Sequence, residues 1–144
     1  MRTRSKQHGF TLMELLIVII VIAVLAAIAL PKFGNSSTRA REASLKGHLK
    51  TLRNAIGIFS NDCGAYPAQL TDLASATAPA TGVDPSGAGK PINAADWHGP
   101  YIQQVNNDPV SGNPFTYSTT APNVGKLTSS AAGTATDGTS YSGW

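Results

Sequence analysis

At 144 residues the chain has room for one compact domain at most, beside whatever its long apolar segment does. Its single cysteine, Cys63, excludes an intrachain disulfide and a multi-cysteine metal site, and its three histidines, His8, His48 and His98, are too scattered to form a ligand cluster. The formal charge of +3 belongs to the leader: Arg2, Arg4 and Lys6 lie before Gly9 with no acid, and the remainder holds eight Lys and Arg against eight Asp and Glu.

The first element is the apolar run. From Phe10 to Leu30 only Thr11 and Glu14 are polar. As a helix rising 1.5 Å per residue, such a run spans about 30 Å, the thickness of a bilayer's hydrocarbon. A secretory signal has a shorter core and a small-residue cut site after it. Here the basic region and Gly9 both come before the core, which predicts a single span with its N-terminus in the cytoplasm. Glu14 is the exception within it. A carboxylate inside a span costs roughly 2.5–3.5 kcal/mol on insertion scales. Two readings offset that: Glu14 lies in the headgroup region, or it pairs with an amine that a cut after Gly9 would create on Phe10 of its own or a neighbouring chain.

The stretch GFTLMELLIVIIVIAVLAAIALPKF resembles the class III signal and N-terminal helix of type IV pilins and pseudopilins. The resemblance implies cleavage between Gly9 and Phe10 by a prepilin peptidase and N-methylation of Phe10. It also implies that Glu14 recruits the subunit to a growing filament, extracted from the inner membrane into a helical polymer.

Pro31 cannot donate its amide hydrogen bond, and Gly34, Asn35, Ser36 and Ser37 are poor helix formers. Residues 27–37 therefore read as a kink or melted turn, or as the end of a membrane helix. The resemblance favours a functional hinge at Pro31 and Gly34. After Thr38, Leu45, Leu49, Leu52, Ile56, Phe59 and Cys63 recur at spacings of four and three, an apolar stripe that predicts packing on the same chain's head. Fewer than three heptads make a coiled coil the weaker rival. Cys63 continues the stripe and reads as a small buried residue, not a nucleophile. Asn61, Gly64 and Pro67 end the helix. From Phe10 to Ser60 the kinked helix would reach on the order of 75 Å, the stick of a lollipop-shaped subunit.

Charge divides along the chain. Residues 32–53 carry Lys32, Arg39, Arg41, Lys46, Lys50 and Arg53 against Glu42, and residues 61–144 carry six Asp against Lys90 and Lys126. A basic stem meeting acidic heads of neighbouring copies accounts for both halves, so no nucleic acid is expected.

In the head, AQLTDLAS predicts a short helix and residues 75–95 an exposed loop. Trp97, Tyr101 and Ile102 are expected anchors to the core. Asp108-Pro109 and Gly112-Asn113-Pro114 are turn chemistry before a strand bearing Phe115 and Tyr117. Further strands are expected at 125–129 and, more weakly, 139–142. The expected fold class is α+β: a long N-terminal helix whose C-terminal half packs on a small antiparallel sheet. The divisions are a removed leader at 1–9, a transmembrane and polymerisation helix at 10–31, an amphipathic stem at 32–63 and a head at 64–144.

GAYP, WHGPYI and DPVSGNPFTY, in that order, resemble the major pseudopilin of type II secretion systems. That resemblance implies a calcium site near the C-terminal Asp-Gly, and Asp137 is the candidate ligand. The rival reading of Asp137-Gly138 is a hairpin turn. Asp108 joins such a site only if the fold brings it near. No Ser/His/Asp set, paired carboxylates or phosphate-cradling loop stands out, so no enzyme is expected. The implied function is a structural subunit of a pilus-like filament. Implied partners are copies of itself, the peptidase, an inner-membrane assembly platform, minor pseudopilins or pilins, and lipid before assembly. The alternatives are a surface pilin for adhesion, motility or DNA uptake, and a single-span sensor or binding protein.

Overall fold

The computed structural model describes residues 10–144, except for the side chains of residues 29–35. Helix α1 runs Leu12–Cys63. The chain divides into two compact units, one ending at Ser37 and the other running from Thr38 to Trp144.

In the first unit the backbone stays helical through Pro31 and Gly34, so of the readings offered for residues 27–37 neither a melted turn nor a helix end is seen, and the long helix expected from Phe10 to Ser60 is continuous. Proline deletes one bond of the ladder, and the apolar, helix-favouring residues before it let the helix continue. Every large apolar side chain described between Phe10 and Ile28 is exposed, from 47% at Val18 to 82% at Leu12.

The second unit has its own core. The predicted stripe is buried at all six positions, with Leu45 and Phe59 fully inaccessible. It packs with Leu73, Phe115, Leu127, Ala131 and Tyr141. Each leucine, isoleucine or phenylalanine among them contributes roughly 1.5–3 kcal/mol on burial. Helix α1 stops at Gly64, whose φ of 62° is the left-handed conformation that glycine adopts without strain. The Lys90 ammonium donates to the Gly64 carbonyl at 2.8 Å.

Strand β1 (Tyr66–Pro67), β2 (Thr81–Val83) and β3 (Gly89–Pro91) form an antiparallel sheet in that order. Strands β4 (Thr116–Tyr117) and β5 (Leu127–Thr128) form a separate pair. The expected exposed loop at 75–95 is thus a hairpin that adds two strands. Its turn is closed by Asp84, whose Oδ1 accepts the Ser86 N–H at 2.8 Å and the Ala88 N–H at 3.0 Å. A low content of large apolar groups concealed it, although Asp84-Pro85-Ser86-Gly87 is turn chemistry. The AQLTDLAS helix is a 3₁₀ segment, Leu70–Ala74. At 139–142 there is an isolated bridge, Thr134 to Ser140, and a 3₁₀ turn, Tyr141–Gly143, in place of a strand.

The predicted anchors hold. Phe59 meets Trp97 and Tyr101 edge-on, with centroids 5.8 and 5.7 Å away, and the Tyr101 hydroxyl donates to Asp62 Oδ2 at 2.9 Å.

Candidate functional site

At the N-terminal end, Thr11 and Glu14 form a capping box. Glu14 Oε2 accepts the Thr11 N–H at 2.9 Å and the Thr11 hydroxyl at 3.0 Å, and the Glu14 N–H donates to Thr11 Oγ1 at 3.2 Å. The reciprocal bonds satisfy donors that the first turn of a helix leaves free. Sequence reading placed Glu14 one turn from Phe10 and missed this local partner, although Thr-x-x-Glu is its signature. Gly9, and with it the expected cut, lies outside the described residues. Among the described residues no helix is long and apolar enough to cross a membrane. In that apolar run the described side chains end at Ile28, since those of residues 29–35 are not described.

At the other end of the chain, residues 134–144 clamp onto α1. Glu42 is 6% exposed and its Oε1 accepts the Thr136 N–H and the Tyr141 hydroxyl, each at 2.8 Å, while Oε2 accepts the Thr136 hydroxyl. The Thr136 hydroxyl holds the Glu42 carboxyl below the ordinary carboxylate range; burial opposes this, and the Thr136 N–H and Tyr141 hydroxyl reinforce it. Asp137 Oδ1 accepts from the N–H of Thr139 at 3.0 Å and from its hydroxyl, and Oδ2 accepts the Lys46 ammonium at 3.2 Å. The Thr139 hydroxyl, its N–H and Lys46 together hold Asp137 at about 2.

Asp108 is a third carboxylate, wholly buried. Its Oδ1 accepts the N–H groups of Val110 and Ser111 at 2.8 and 3.2 Å. Its Oδ2 accepts the Ser129 hydroxyl and the Ser130 N–H. Burial pushes its pKa up, but these donors outweigh burial and hold it below the ordinary value.

Glu42 went unrecognised in the sequence, yet a signal was there. It stands three residues before Leu45, so the spacing of the apolar stripe extends back onto it. Two basic stem residues that were expected to meet neighbouring copies are engaged within the chain. Lys46 holds Asp137, and the Arg53 guanidinium donates to the Leu127 carbonyl at 2.8 Å.

Two family models match consecutive parts of the chain: the prokaryotic N-terminal methylation motif over residues 4–30, and the type II secretion system (T2SS) protein G over residues 32–141. The chain belongs to the T2SS protein G family. Among curated relatives, the type II secretion system core protein G of Pseudomonas aeruginosa is 30% identical over 115 residues, covering 79% of this chain and 75% of the relative. Core protein G of Aeromonas hydrophila is 28% identical over 112 residues, 78% of this chain and 73% of the relative. The type IV major pilin protein PilA of Myxococcus xanthus is 38% identical over 65 residues, 45% of this chain and 30% of the relative. No solved structure matches.

For this member of the protein G family, the calcium expectation meets a poor donor set. Calcium takes six to eight oxygens. Both Asp137 oxygens are already engaged, one of them by an ammonium, and both Asp108 oxygens are engaged elsewhere. Among the described residues no three His, Cys, Asp or Glu side chains stand together as a metal group. The arrangement at Asp137 does not fit a calcium ion.

Proposed function

We propose that this chain is a structural subunit of the type II secretion pseudopilus, held in the bacterial inner membrane until it is built into a filament. The observation that carries the reading is the contrast along α1. Its first half presents bare apolar side chains on every face, while its second half closes a core of its own. A helix apolar all round needs lipid or other helices around it. Membership of the protein G family and the methylation motif support the same reading.

In this mechanism a prepilin peptidase cuts between Gly9 and Phe10, and Phe10 is N-methylated. The N-terminus lies in the cytoplasm and the head in the periplasm. An inner-membrane assembly platform then draws the subunit into a homopolymer with minor pseudopilins. Glu14 pairs with a Phe10 amine of a neighbouring copy, and Pro31 and Gly34 form the hinge where the helix yields on leaving the bilayer. The role is structural, not catalytic. Mass spectrometry of the functioning protein from the membrane fraction tests this: a mature chain beginning at methylated Phe10 is expected. An intact Met1–Gly9 leader overturns the reading in favour of a membrane-anchored binding protein. The match to a Myxococcus xanthus major pilin favours a second reading, a surface pilin. Loss of secretion on deletion supports the pseudopilus; loss of surface fibres with secretion intact supports the pilin.

A further inference from the structure

Four side chains at the C-terminal clamp close into a ring. The Lys46 ammonium contacts Asp137 Oδ2 at 3.2 Å. Asp137 Oδ1 accepts from the Thr139 hydroxyl. Thr139 Oγ1 in turn accepts the Trp144 indole N–H at 2.7 Å. The Trp144 ring returns to Lys46, whose ammonium lies 4.0 Å from the ring centroid. Behind the ring, Glu42 accepts three donors from Thr136 and Tyr141.

We propose that the Lys46 ammonium is the resident cation of this loop, so that this head closes without calcium. A metal ion would stabilise such a loop by gathering oxygens of one charge. Here one fixed positive charge on α1 gathers a carboxylate and the face of an indole, and both are suited to a cation. The oxygens near Asp137 are also turned the wrong way for a metal. The Thr139 hydroxyl points its hydrogen at Asp137 and accepts from Trp144, so it has little left to offer. A divalent ion at Asp137 would have to displace the ammonium first. Lys46 and Asp137 are half-exposed, with side chains 55% and 47% accessible, so the pair alone is weak. The closed ring and the buried Glu42 behind it make it selective.

The inference concerns closure of the head and holds whether or not the chain builds a pseudopilus. The full-length protein in detergent micelles, melted by near-ultraviolet circular dichroism in millimolar calcium and in chelator, tests it. The expected result is one Tm for the wild type in both conditions. Lys46→Met should lower that Tm by about 4 °C in both, and Asp137→Asn should add little to it, because the two share one contact. A wild-type Tm that calcium raises by more than about 5 °C overturns the proposal. So does a Lys46→Met protein as stable as the wild type.

Discussion

Glu42 accepts the hydroxyl of Tyr141 at 2.8 Å, joining residues 99 positions apart. The same carboxylate oxygen accepts the Thr136 N–H, so one side chain on α1 holds both ends of the loop's final turn. Glu42→Gln removes the charge that strengthens three hydrogen bonds and sets an NH2 group opposite the Thr136 hydroxyl, which must turn from donor to acceptor. Its expected effect is a lower Tm, with residues 134–144 becoming the first segment cut by a protease. A cleavage pattern identical to the wild type would show that the clamp does not depend on this carboxylate.

Acid should open the head in a defined window. Glu42, Asp108 and Asp137 all have depressed folded-state pKa values. A depressed carboxyl stabilises the fold above its unfolded value, and that contribution is lost as pH falls through the folded one. Tm should therefore be level from neutral pH to about 5, then fall steadily towards about pH 2, where Asp137 itself titrates. A Tm that holds level down to about pH 3 contradicts the assignment. Asp108→Ala, which leaves one buried and three part-buried donors without their acceptor, should cost about 3 kcal/mol or more in a denaturant titration at neutral pH.

Phe59 is the centre of the head's packing, with Trp97 and Tyr101 on its edges. Phe59→Ala should destabilise the head by about 3–5 kcal/mol, and Leu49→Ala by about 2–5 kcal/mol. Denaturant midpoints of the full chain give both numbers. A loss under about 1 kcal/mol at Phe59 would mean that the site is not a closed core.

These positions show what was legible in the sequence. The spacing of Leu45 through Cys63 marked one helix face without ambiguity, because helical periodicity and apolarity coincide there. Trp97, Tyr101 and Phe115 were legible as large apolar groups in a head with few of them. The hairpin of β2 and β3 was not, since it is held by backbone pairing and the Asp84 turn, not by large side chains. At Pro31 the sequence left a kink, a melted turn and a helix end open, because a local breaker says nothing of the helix on either side, which continues through it. The clamp carboxylates were hidden for another reason. Nothing about Glu42, Asp108 or Asp137 taken singly says which distant N–H or hydroxyl it meets.

At the N-terminal end, Glu14 has a measurable assembly role in the proposed mechanism. Its Oε2 is engaged by Thr11, and its Oε1 makes none of the capping-box bonds. Glu14→Ala should leave leader removal intact, because the scissile bond lies outside the box. It should abolish incorporation into filaments beside wild-type subunits. Purified filaments containing both chains at their expressed ratio would remove the charge-pair role.

The long reach from Glu42 to Thr136 and Tyr141 has a consequence in time. Translation delivers Glu42 long before either partner, so the apolar half of α1 is already exposed to membrane or chaperone while the clamp is still absent. Until Tyr141 has left the ribosome the Glu42 carboxylate keeps its water, because the core that buries it lacks the donors that replace that water. Closure of the head thus reports that synthesis has reached the clamp. A chain stopped at Ser140 should enter the membrane normally and then be degraded; equal abundance with the complete chain would show that no such proofreading operates.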